Sequence, residues 1–244
     1  MAKVKDFYDF LNSIAPFEAQ ETWDNSGILI GDMNAEVHRV AVVLDITPEE
    51  IVKSKEIGAD LMISHHPVIF SPIKTVLSGS IPYELVNSKI NAICCHTPLD
   101  IADGGTNDSF AELLGIAAYR CDNPILRLAE IEKTTAKELA DYIAKKLGTT
   151  VRYIDAGRPI EKIAICTGAG CSLIDEAGEI NAFITGDASH HNFLDSAQAG
   201  ITLIAAGHYE TEIVVVPTLV KKLKQSFPDI EIIDLKQKNP IKFA

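Results

Sequence analysis

The sequence predicts an α/β fold of two similar lobes with mainly parallel sheets. Six short runs rich in Val, Ile and Ala alternate with helical patterns, and the last three runs resemble the first three. Runs that are apolar on both faces are typical of buried parallel strands, because helices cover both faces of such sheets. The six runs are Val40–Leu44, Leu61–Ser64, Ala92–Cys95, Ile163–Cys166, Phe183–Thr185 and Ile201–Ala205.

Two helices have especially clear patterns. The segment Val4–Ile14 carries apolar residues at helical spacing, and Pro16 stops it. In the connection Leu126–Ile160, the stretch Thr135–Leu147 has the same periodicity, and Gly148 can supply the left-handed residue that ends a helix. The chain should therefore begin with an amphipathic helix and carry another between its halves.

The halves form a weak internal repeat. VAVVLDIT aligns with IAICTGAG, LMISHHPVIF with FITGDASHHNFL, and AICCHTPLD with LIAAGHYETE. In each half, the second and third of these segments carry histidine after the predicted strand. We therefore predict a first lobe over residues 1–125 and a second over residues 126–244. Because no flexible Gly/Ser-rich linker separates them, the lobes should pack closely.

Composition narrows the possible functions. The formal charge of −12 in 244 residues would repel phosphate backbones, which makes extended nucleic-acid binding an unfavourable interpretation. No apolar stretch reaches the roughly 20 residues that span a bilayer, and the N-terminus does not resemble a signal peptide. The five cysteines form no CxxC pair and are expected to be reduced and structural. We expect a cytoplasmic protein.

Histidines concentrate where an α/β protein places its ligands. Six of the seven, all but His38, follow one of the predicted strands, and open α/β sheets form their binding crevice at that edge. His65 and His66 would point to opposite faces of a continuing strand, but Pro67 ends the run and allows both imidazoles to turn toward one crevice. The doublet is therefore a candidate pair of ligands for two metal ions.

Two further segments add ligands. His96 and Asp100 belong to the HTPLD loop that Pro98 stiffens, and the Asp100 carboxylate complements neutral imidazole as a metal ligand. Asp103 is a rival for the same role. His208 and Glu212 stand four residues apart, which places them on one face of a helix. Three strand ends thus predict one metal centre.

Other candidates have simpler interpretations. His190 and His191 repeat the doublet without a proline stop, so contact with substrate or with a ligand residue is favoured over metal binding. Asp45 either touches the site or caps the helix near Pro48, and capping is favoured. The glycines of TGAGCS, at positions 168 and 170, either cradle an anion or shape a turn, since no P-loop pattern is present. No nucleophile signature favours covalent catalysis.

Four motifs together resemble a known family. WDNSG at Trp23–Gly27, ISHHP at Ile63–Pro67, HTPLD with the downstream GGTND, and GHYETE at Gly207–Glu212 occur in the order found in the NIF-three-like family. The resemblance covers nearly the whole chain and matches the short form without a central insert. The chemical role of Trp23, Asp24 and Asn25 does not follow from the sequence, and a structural turn and a substrate contact both stay open.

The resemblance implies a function and a ligand set. Members of this family are widely named GTP cyclohydrolase I type 2, which implies metal-activated water attacking C8 of the purine ring of GTP. It also implies two α/β lobes around a dinuclear centre, in which His65 and His66 each bind one metal, Asp100 joins one, His208 the other, and Glu212 bridges. The candidate catalytic residues are Glu212 and His96, the latter as a proton donor. The metals would be zinc, iron or manganese, and the assembly a homohexamer.

Two alternatives of different classes stay open at this point. A dinuclear phosphoesterase, or another hydrolase of a small anionic metabolite, would use the same ligands with a different substrate. A metal-binding regulatory or partner-binding protein would use them without turnover. Activity of the metal-loaded protein separates these alternatives.

Overall fold

The computed structural model describes residues 1–242, which form two compact units. The first unit comprises Met1–Asp103 together with the C-terminal segment from Val216, and the second comprises Gly104–Val215. The predicted lobe boundary at residues 125 and 126 differs from this division. The difference has two parts. Residues 104–125 belong to the second unit, where Phe110 and Leu114 join its core. Strand pairing between residues far apart in sequence returns the C-terminal segment to the first unit, and local patterns do not reveal such pairing.

The elements alternate between strand and helix along most of the chain. The strands are β1 Ala2–Lys3, β2 Gly27–Ile30, β3 Glu36–Val37, β4 Arg39–Val43, β5 Leu61–Ser64, β6 Asn91–Cys94, β7 Tyr119–Arg120, β8 Arg127–Thr134, β9 Arg152–Ile154, β10 Ile160–Cys166, β11 Ala182–Thr185, β12 Thr202–Ala205 and β13 Glu231–Asp234. The helices are α1 Val4–Ile14, α2 Pro48–Glu56, α3 Ile81–Asn87, α4 Thr97–Ile101, α5 Thr106–Leu114, α6 Ala136–Leu147, α7 His190–Gln198, α8 His208–Glu212 and α9 Val215–Ser226. Short 3-10 helices cover Phe17–Ala19 and Gly170–Glu176.

The sheet of the first unit is mainly parallel, as predicted. Its strand order is β13-β4-β5-β6-β2, and β2 alone runs antiparallel to its neighbour. Strand β13 pairs with β4 in the register Ile232↔Val40, which fastens the C-terminal segment to this unit. Strands β5 and β6 are buried along their whole length, which agrees with the apolar runs Leu61–Ile63 and Ala92–Cys95.

The sheet of the second unit corrects the prediction of mainly parallel pairing. Its order is β7-β8-β10-β11-β12-β9, and only the pairs β10-β11 and β11-β12 are parallel. The pairs formed by β7, β8 and β9 are antiparallel. These outer strands have more exposed residues than the central ones, so their sequences lack the continuous apolar run of a buried strand.

The internal repeat predicted from sequence has a counterpart in topology. In the first unit, the antiparallel edge strand β2 precedes β4, β5 and β6, which pair in that order. In the second unit, the antiparallel edge strand β9 precedes β10, β11 and β12 in the same way. Because each edge strand is antiparallel, it starts at the sheet edge where its parallel neighbours end. The residue stretch before β2 therefore lies beside the residues that follow β6.

Both faces of the second sheet are covered by apolar side chains. Phe110 of α5 and Ile143 of α6 pack with Ile163 and Ile184, whereas Phe183 belongs to a separate cluster. Successive strand residues join different clusters because side chains alternate between the faces of a strand. This burial fixes the strand ends from which the candidate ligands extend.

The two helices predicted most clearly are confirmed. Helix α1 spans the predicted Val4–Ile14. Helix α6 begins after Thr135, whose side chain accepts a hydrogen bond from the Glu138 nitrogen, and ends at Gly148 with φ +65°. Among residues 1–242, no helix is both long and apolar enough to cross a membrane.

Candidate metal site

Three imidazoles meet at the carboxyl edge of the first sheet. His65 and His66 follow β5, and His96 follows β6. The ring centroids lie 5.0 Å apart for His65 and His66, 5.2 Å for His65 and His96, and 5.5 Å for His66 and His96. One ring nitrogen of each residue lies within 4.8 Å of those of the other two. This group, called the histidine cluster below, could hold a metal ion.

The doublet turns to one side because the backbone leaves strand geometry at its end. The Ser64 hydroxyl donates to the His66 carbonyl oxygen at 2.7 Å, and Pro67 follows. His65 Nδ1 then lies 2.9 Å from the Cys95 carbonyl oxygen, and His66 Nδ1 lies 2.7 Å from Asp45 Oδ1. A proton on Nδ1 satisfies each acceptor, so Nε2 is the nitrogen with which either ring would bind a metal.

Asp45 thus contacts the histidine cluster, contrary to the favoured interpretation as a helix cap. Helix α2 has Thr47 at its N-cap, and no side chain caps it there. The Asp45 carboxylate holds the His66 ring, while its own backbone is fixed by Gln237, whose Oε1 accepts from the Asp45 nitrogen at 3.0 Å. An acceptor of this kind sets the tautomer and orientation of a metal-binding imidazole.

Asp24 is the acceptor that orients His96. Its side chain is fully buried, and its Oδ1 lies 2.8 Å from His96 Nδ1. Its Oδ2 accepts from the Thr97 nitrogen at 3.1 Å, the Thr97 hydroxyl at 2.5 Å and the Ser26 hydroxyl at 3.0 Å. Burial alone would raise the pKa of Asp24, but hydrogen bonds from His96 and Thr97 and the electrostatic interaction with His96 outweigh it and hold the pKa well below its usual range.

We expect the Asp24→Asn variant to lose stability and to change its response to acid. A carboxyl whose pKa is lowered in the folded state stabilises the protein above its ordinary pKa of 3.8, and this contribution disappears as the pH falls toward the folded-state pKa. The stability difference between wild type and Asp24→Asn should therefore be largest near neutral pH and shrink below pH 3.8. Urea unfolding of the metal-free proteins from neutral pH to about pH 3 measures it. A pH-independent difference would contradict this account.

The structure separates the two candidate aspartates of the loop after β6. Asp100 lies on the short helix α4, and its Oδ1 is 3.5 Å from His65 Nε2. Asp103 is exposed and is the last residue of this part of the unit. The ligand prediction for Asp100 is therefore favoured over its rival.

The second unit places His208 and Glu212 on one face of α8, one helical turn apart. His208 Nε2 lies 3.0 Å from Glu212 Oε2, and Glu212 is buried. His208 Nδ1 lies 2.7 Å from Asp187 Oδ2, so Asp187 orients His208 as Asp45 orients His66. In both units, the acceptor follows the strand that pairs with the histidine-bearing strand in the same sheet.

Gly168 gives the Glu212 side chain the space that it occupies. Gly168 has φ +61°, and a Cβ at this position would overlap Glu212 Oε1. The Gly168 nitrogen donates to Thr211 Oγ1 at 3.1 Å, and its carbonyl oxygen accepts from the nitrogens of Gly186 and Asp187 at 2.9 and 2.8 Å. The TGAGCS segment therefore shapes a turn against the ligand helix, which favours the second of the two interpretations left open from sequence.

The second histidine doublet belongs to neither group of candidate ligands. His190 and His191 are both exposed in the first turn of α7, which begins at His190. Ser189 caps this helix by accepting from the Asn192 nitrogen at 3.2 Å. A helix start accounts for the doublet, so its exclusion from the metal ligands stays the favoured interpretation.

The cysteines do not supply a nucleophile at the histidine cluster. Cys94 and Cys95 are buried, and burial raises the pKa of both thiols well above the ordinary value of 9.0. The nucleophilic form of cysteine is the thiolate, which burial disfavours. Both residues therefore fit the structural role predicted for them.

The candidate ligands of each unit have the chemistry that a divalent metal requires. The first unit combines oriented imidazoles with the Asp100 carboxylate, and the second unit pairs the oriented His208 imidazole with the buried Glu212 carboxylate. Neutral imidazole and carboxylate are the ligands that zinc, iron and manganese share. His96 was predicted only as a proton donor, but its position makes it a possible ligand as well.

Sequence reasoning missed Asp187 and could not assign Asp24. Asp187 follows β11, the neighbour of the strand that carries His208, so a carboxylate after an adjacent strand was the available signal. Asp24 precedes β2, and its proximity to His96 depends on that strand being antiparallel to β6. No local pattern shows that direction.

Comparison with known proteins agrees with the motifs. The GTP cyclohydrolase 1 type 2 homolog of Campylobacter jejuni is 35% identical over an alignment of 248 positions, which covers 99% of each chain. The GTP cyclohydrolase 1 type 2 of Helicobacter pylori (strain J99) is 32% identical over 221 residues, or 87% of this chain and 88% of that one. The crystal structure of Staphylococcus aureus protein SA1388 superposes with a TM-score of 0.90 at 25% identity, covering 100% of this chain and 99% of that one.

A family model covers almost the entire sequence. It is described as Duf34/NIF3 (NGG1p interacting factor 3) and matches residues 2–240. The match confirms the family that the four spaced motifs predicted and the mixed α/β architecture that goes with it. The chain belongs to the Duf34/NIF3 (NGG1p interacting factor 3) family.

Proposed function

We propose that this protein is a divalent-metal-dependent hydrolase that acts on GTP or another small anionic metabolite. The observation that carries the proposal is the histidine cluster, in which each imidazole is held through Nδ1 by a separate acceptor. Such preorganisation is typical of metal ligands, whose tautomer and orientation must be fixed before the ion binds.

The proposed ligands are His65, His66 and Asp100 from the first unit and His208 and Glu212 from the second. Following the family resemblance, two ions are bound per chain and Glu212 serves both. Structural zinc sites are usually closed by four protein ligands, whereas five groups shared between two ions leave coordination positions for water and substrate. An open site favours catalysis over a purely structural role.

The chain's own residues have distinct parts in this proposal. When bound, the two ions would supply Lewis acidity and bring the pKa of water toward neutrality. Asp45, Asp24 and Asp187 keep protons on the Nδ1 atoms of His66, His96 and His208. Because Asp24 fixes the proton on Nδ1, any proton exchange by His96 takes place at Nε2, which keeps His96 the proposed proton donor.

The substrate proposal rests on the names of relatives. The Helicobacter pylori protein is called GTP cyclohydrolase 1 type 2, and the Campylobacter jejuni protein a homolog of that enzyme. In the corresponding reaction, water adds to C8 of the purine and the imidazole ring opens. The net charge of −12 repels a triphosphate on average, and bound divalent cations would reduce that repulsion at the site.

Turnover by metal-loaded protein tests the function. Protein stripped with a chelator and reloaded separately with zinc, iron(II) or manganese is incubated with GTP and with a panel of phosphorylated metabolites. We expect ring-opened product from GTP, and no product from the metal-free protein. Release of inorganic phosphate would instead show a phosphoesterase, and consumption of no compound by fully loaded protein would contradict the hydrolase proposal.

We also propose a closed homo-oligomer, a hexamer by family resemblance. Light scattering at micromolar concentration should give a mass near six times the 26.5 kDa chain. A monomeric mass over the same concentration range would contradict the assembly without bearing on metal binding.

A further inference from the structure

Beside the histidine cluster, two large aromatic side chains are exposed and in contact with each other. The Trp23 indole is 55% exposed and Phe70 is 52% exposed, and their ring centroids lie 5.9 Å apart. The indole also meets the His96 ring edge-on at 5.8 Å. A flat molecule stacked on Trp23 would therefore lie next to the cluster that is proposed to hold the metal.

Hydrogen bonds fix the turn that carries Trp23. The Asp24 nitrogen donates to the Glu21 carbonyl oxygen at 2.9 Å and closes the turn. The Glu21 nitrogen donates to Thr97 Oγ1 at 3.1 Å, and the same hydroxyl donates to Asp24 Oδ2. Both ends of the turn are thus bound to Thr97, which directly follows His96 in the chain.

The segment that carries Phe70 is attached to the same turn. Asn25 Nδ2 donates to the Ile69 carbonyl oxygen at 2.5 Å, so the backbone next to Phe70 is bound to the residue two after Trp23. Asp24 and Asn25 therefore have structural roles, whereas Trp23 is oriented by these contacts while half of its surface stays accessible. Rigid exposed aromatic rings bind ligands at low cost in conformational entropy.

We propose that Trp23 and Phe70 form a stacking platform for a planar heteroaromatic ring, and that they select nucleotides over anions without a base as substrates. The proposal deepens the proposed function, on which its reference to a substrate rests. Base-aromatic stacking tolerates every base but requires a flat π surface, so it favours nucleotides over phosphorylated sugars of equal charge. The platform thereby assigns a role to the tryptophan of the WDNSG motif.

Tryptophan fluorescence reports on binding at the platform, because Trp23 is the only tryptophan of the chain. Metal-loaded and metal-free proteins are titrated with GTP, GMP and inorganic triphosphate, with emission corrected for nucleotide absorption. We expect saturable quenching of Trp23 by GTP and by GMP, and none by triphosphate. Equal responses to triphosphate and GMP, or no saturable quenching by either nucleotide, would overturn the platform.

Substitution of Phe70 separates stacking from a general surface effect. Phe70→Ala should weaken GMP binding about tenfold, within the range measured for the loss of one base-aromatic stack. The matched control is Tyr119→Ala, which removes a ring of 53% exposure in the second unit and should leave the quenching curve unchanged. Equal effects of both substitutions would count against the proposal.

Substitutions of Trp23 itself are measured by equilibrium dialysis of labelled GMP. Trp23→Phe should retain most of the affinity, because it keeps a flat ring, and Trp23→Ala should lose it. Light scattering of Phe70→Ala examines the competing occupant, a second copy of this chain. A change in assembly mass together with unchanged nucleotide quenching would assign the aromatic pair to a subunit interface and overturn the platform.

These measurements distinguish failure of the platform from failure of the hydrolase proposal. Saturable, base-dependent quenching by protein that consumes no compound would support the platform and contradict the hydrolase. Turnover of GTP by wild type and by Trp23→Ala at equal kcat/KM would support the hydrolase and contradict the platform.

Discussion

Replacing His65 and His66 together by alanine is expected to abolish metal binding by the first unit and to reduce turnover more than any other change considered. The double substitution removes two of the three imidazoles that converge after β5 and β6. Loss of a hydrogen-bond acceptor that orients a ligand commonly lowers metal affinity or activity about 10–100-fold. The loss of two direct ligands should therefore lower turnover by more than about 100-fold. Elemental analysis after reconstitution should fall from two ions per chain by at least one.

The second doublet provides the matched control. His190→Ala/His191→Ala makes the same chemical change on the exposed first turn of α7 and should keep the wild-type metal content. Because His65 is only 1% exposed, its removal also leaves a cavity, so His66→Ala alone serves as a milder variant. Thermal unfolding of the metal-free proteins verifies that the variants fold. Wild-type metal content in the folded double variant would refute the proposed ligands.

The Gly168→Ala variant is expected to lose both stability and metal affinity, although position 168 carries no ligand atom of its own. The left-handed conformation costs an alanine about 1–2 kcal/mol. The added Cβ would also overlap Glu212 Oε1, and overpacking of this kind typically costs about 1–3 kcal/mol. The carboxylate must then move, so metal content should fall together with the free energy of unfolding.

Gly178→Ala isolates the backbone contribution. Gly178 lies in the same unit at φ +69°, and a Cβ there would meet nothing within 4 Å. This variant should lose only about 1–2 kcal/mol, the left-handed cost alone, and keep its metal. Urea unfolding and elemental analysis of the two variants test the comparison. Equal metal content in both would show that Gly168 does not position Glu212.

The two confirmed helices were predictable from local sequence alone. Val4–Ile14 and the helix after Thr135 agree with prediction because periodic apolar residues, a capping threonine and a terminal glycine act within a few residues. The six central strands were located for a similar reason, since continuous apolar runs mark burial on both faces. The histidines after these strands then followed from the general position of ligands in α/β sheets.

Non-local pairing explains the differences. The C-terminal strand β13 joins β4 in the first unit, so the segment from Val216 belongs to that unit and not to the second. The antiparallel outer strands of the second sheet are short or partly exposed and gave no distinctive pattern. The sequence favoured Asp45 as a helix cap because Pro48 lies nearby in the chain. Its contact with His66 depends on the pairing of β4 with β5, which local patterns do not show.

The sequence by itself determined the family, the central strands and the candidate metal ligands, because motif order, apolar runs and ligand chemistry are all present in the linear chain. Only the tertiary structure decided which acceptor holds each imidazole, that Gly168 makes room for Glu212, and that Trp23 stays exposed beside His96. Those relations depend on strand direction and on side-chain contacts between residues distant in sequence, where a displacement of one residue would point a side chain to the opposite face.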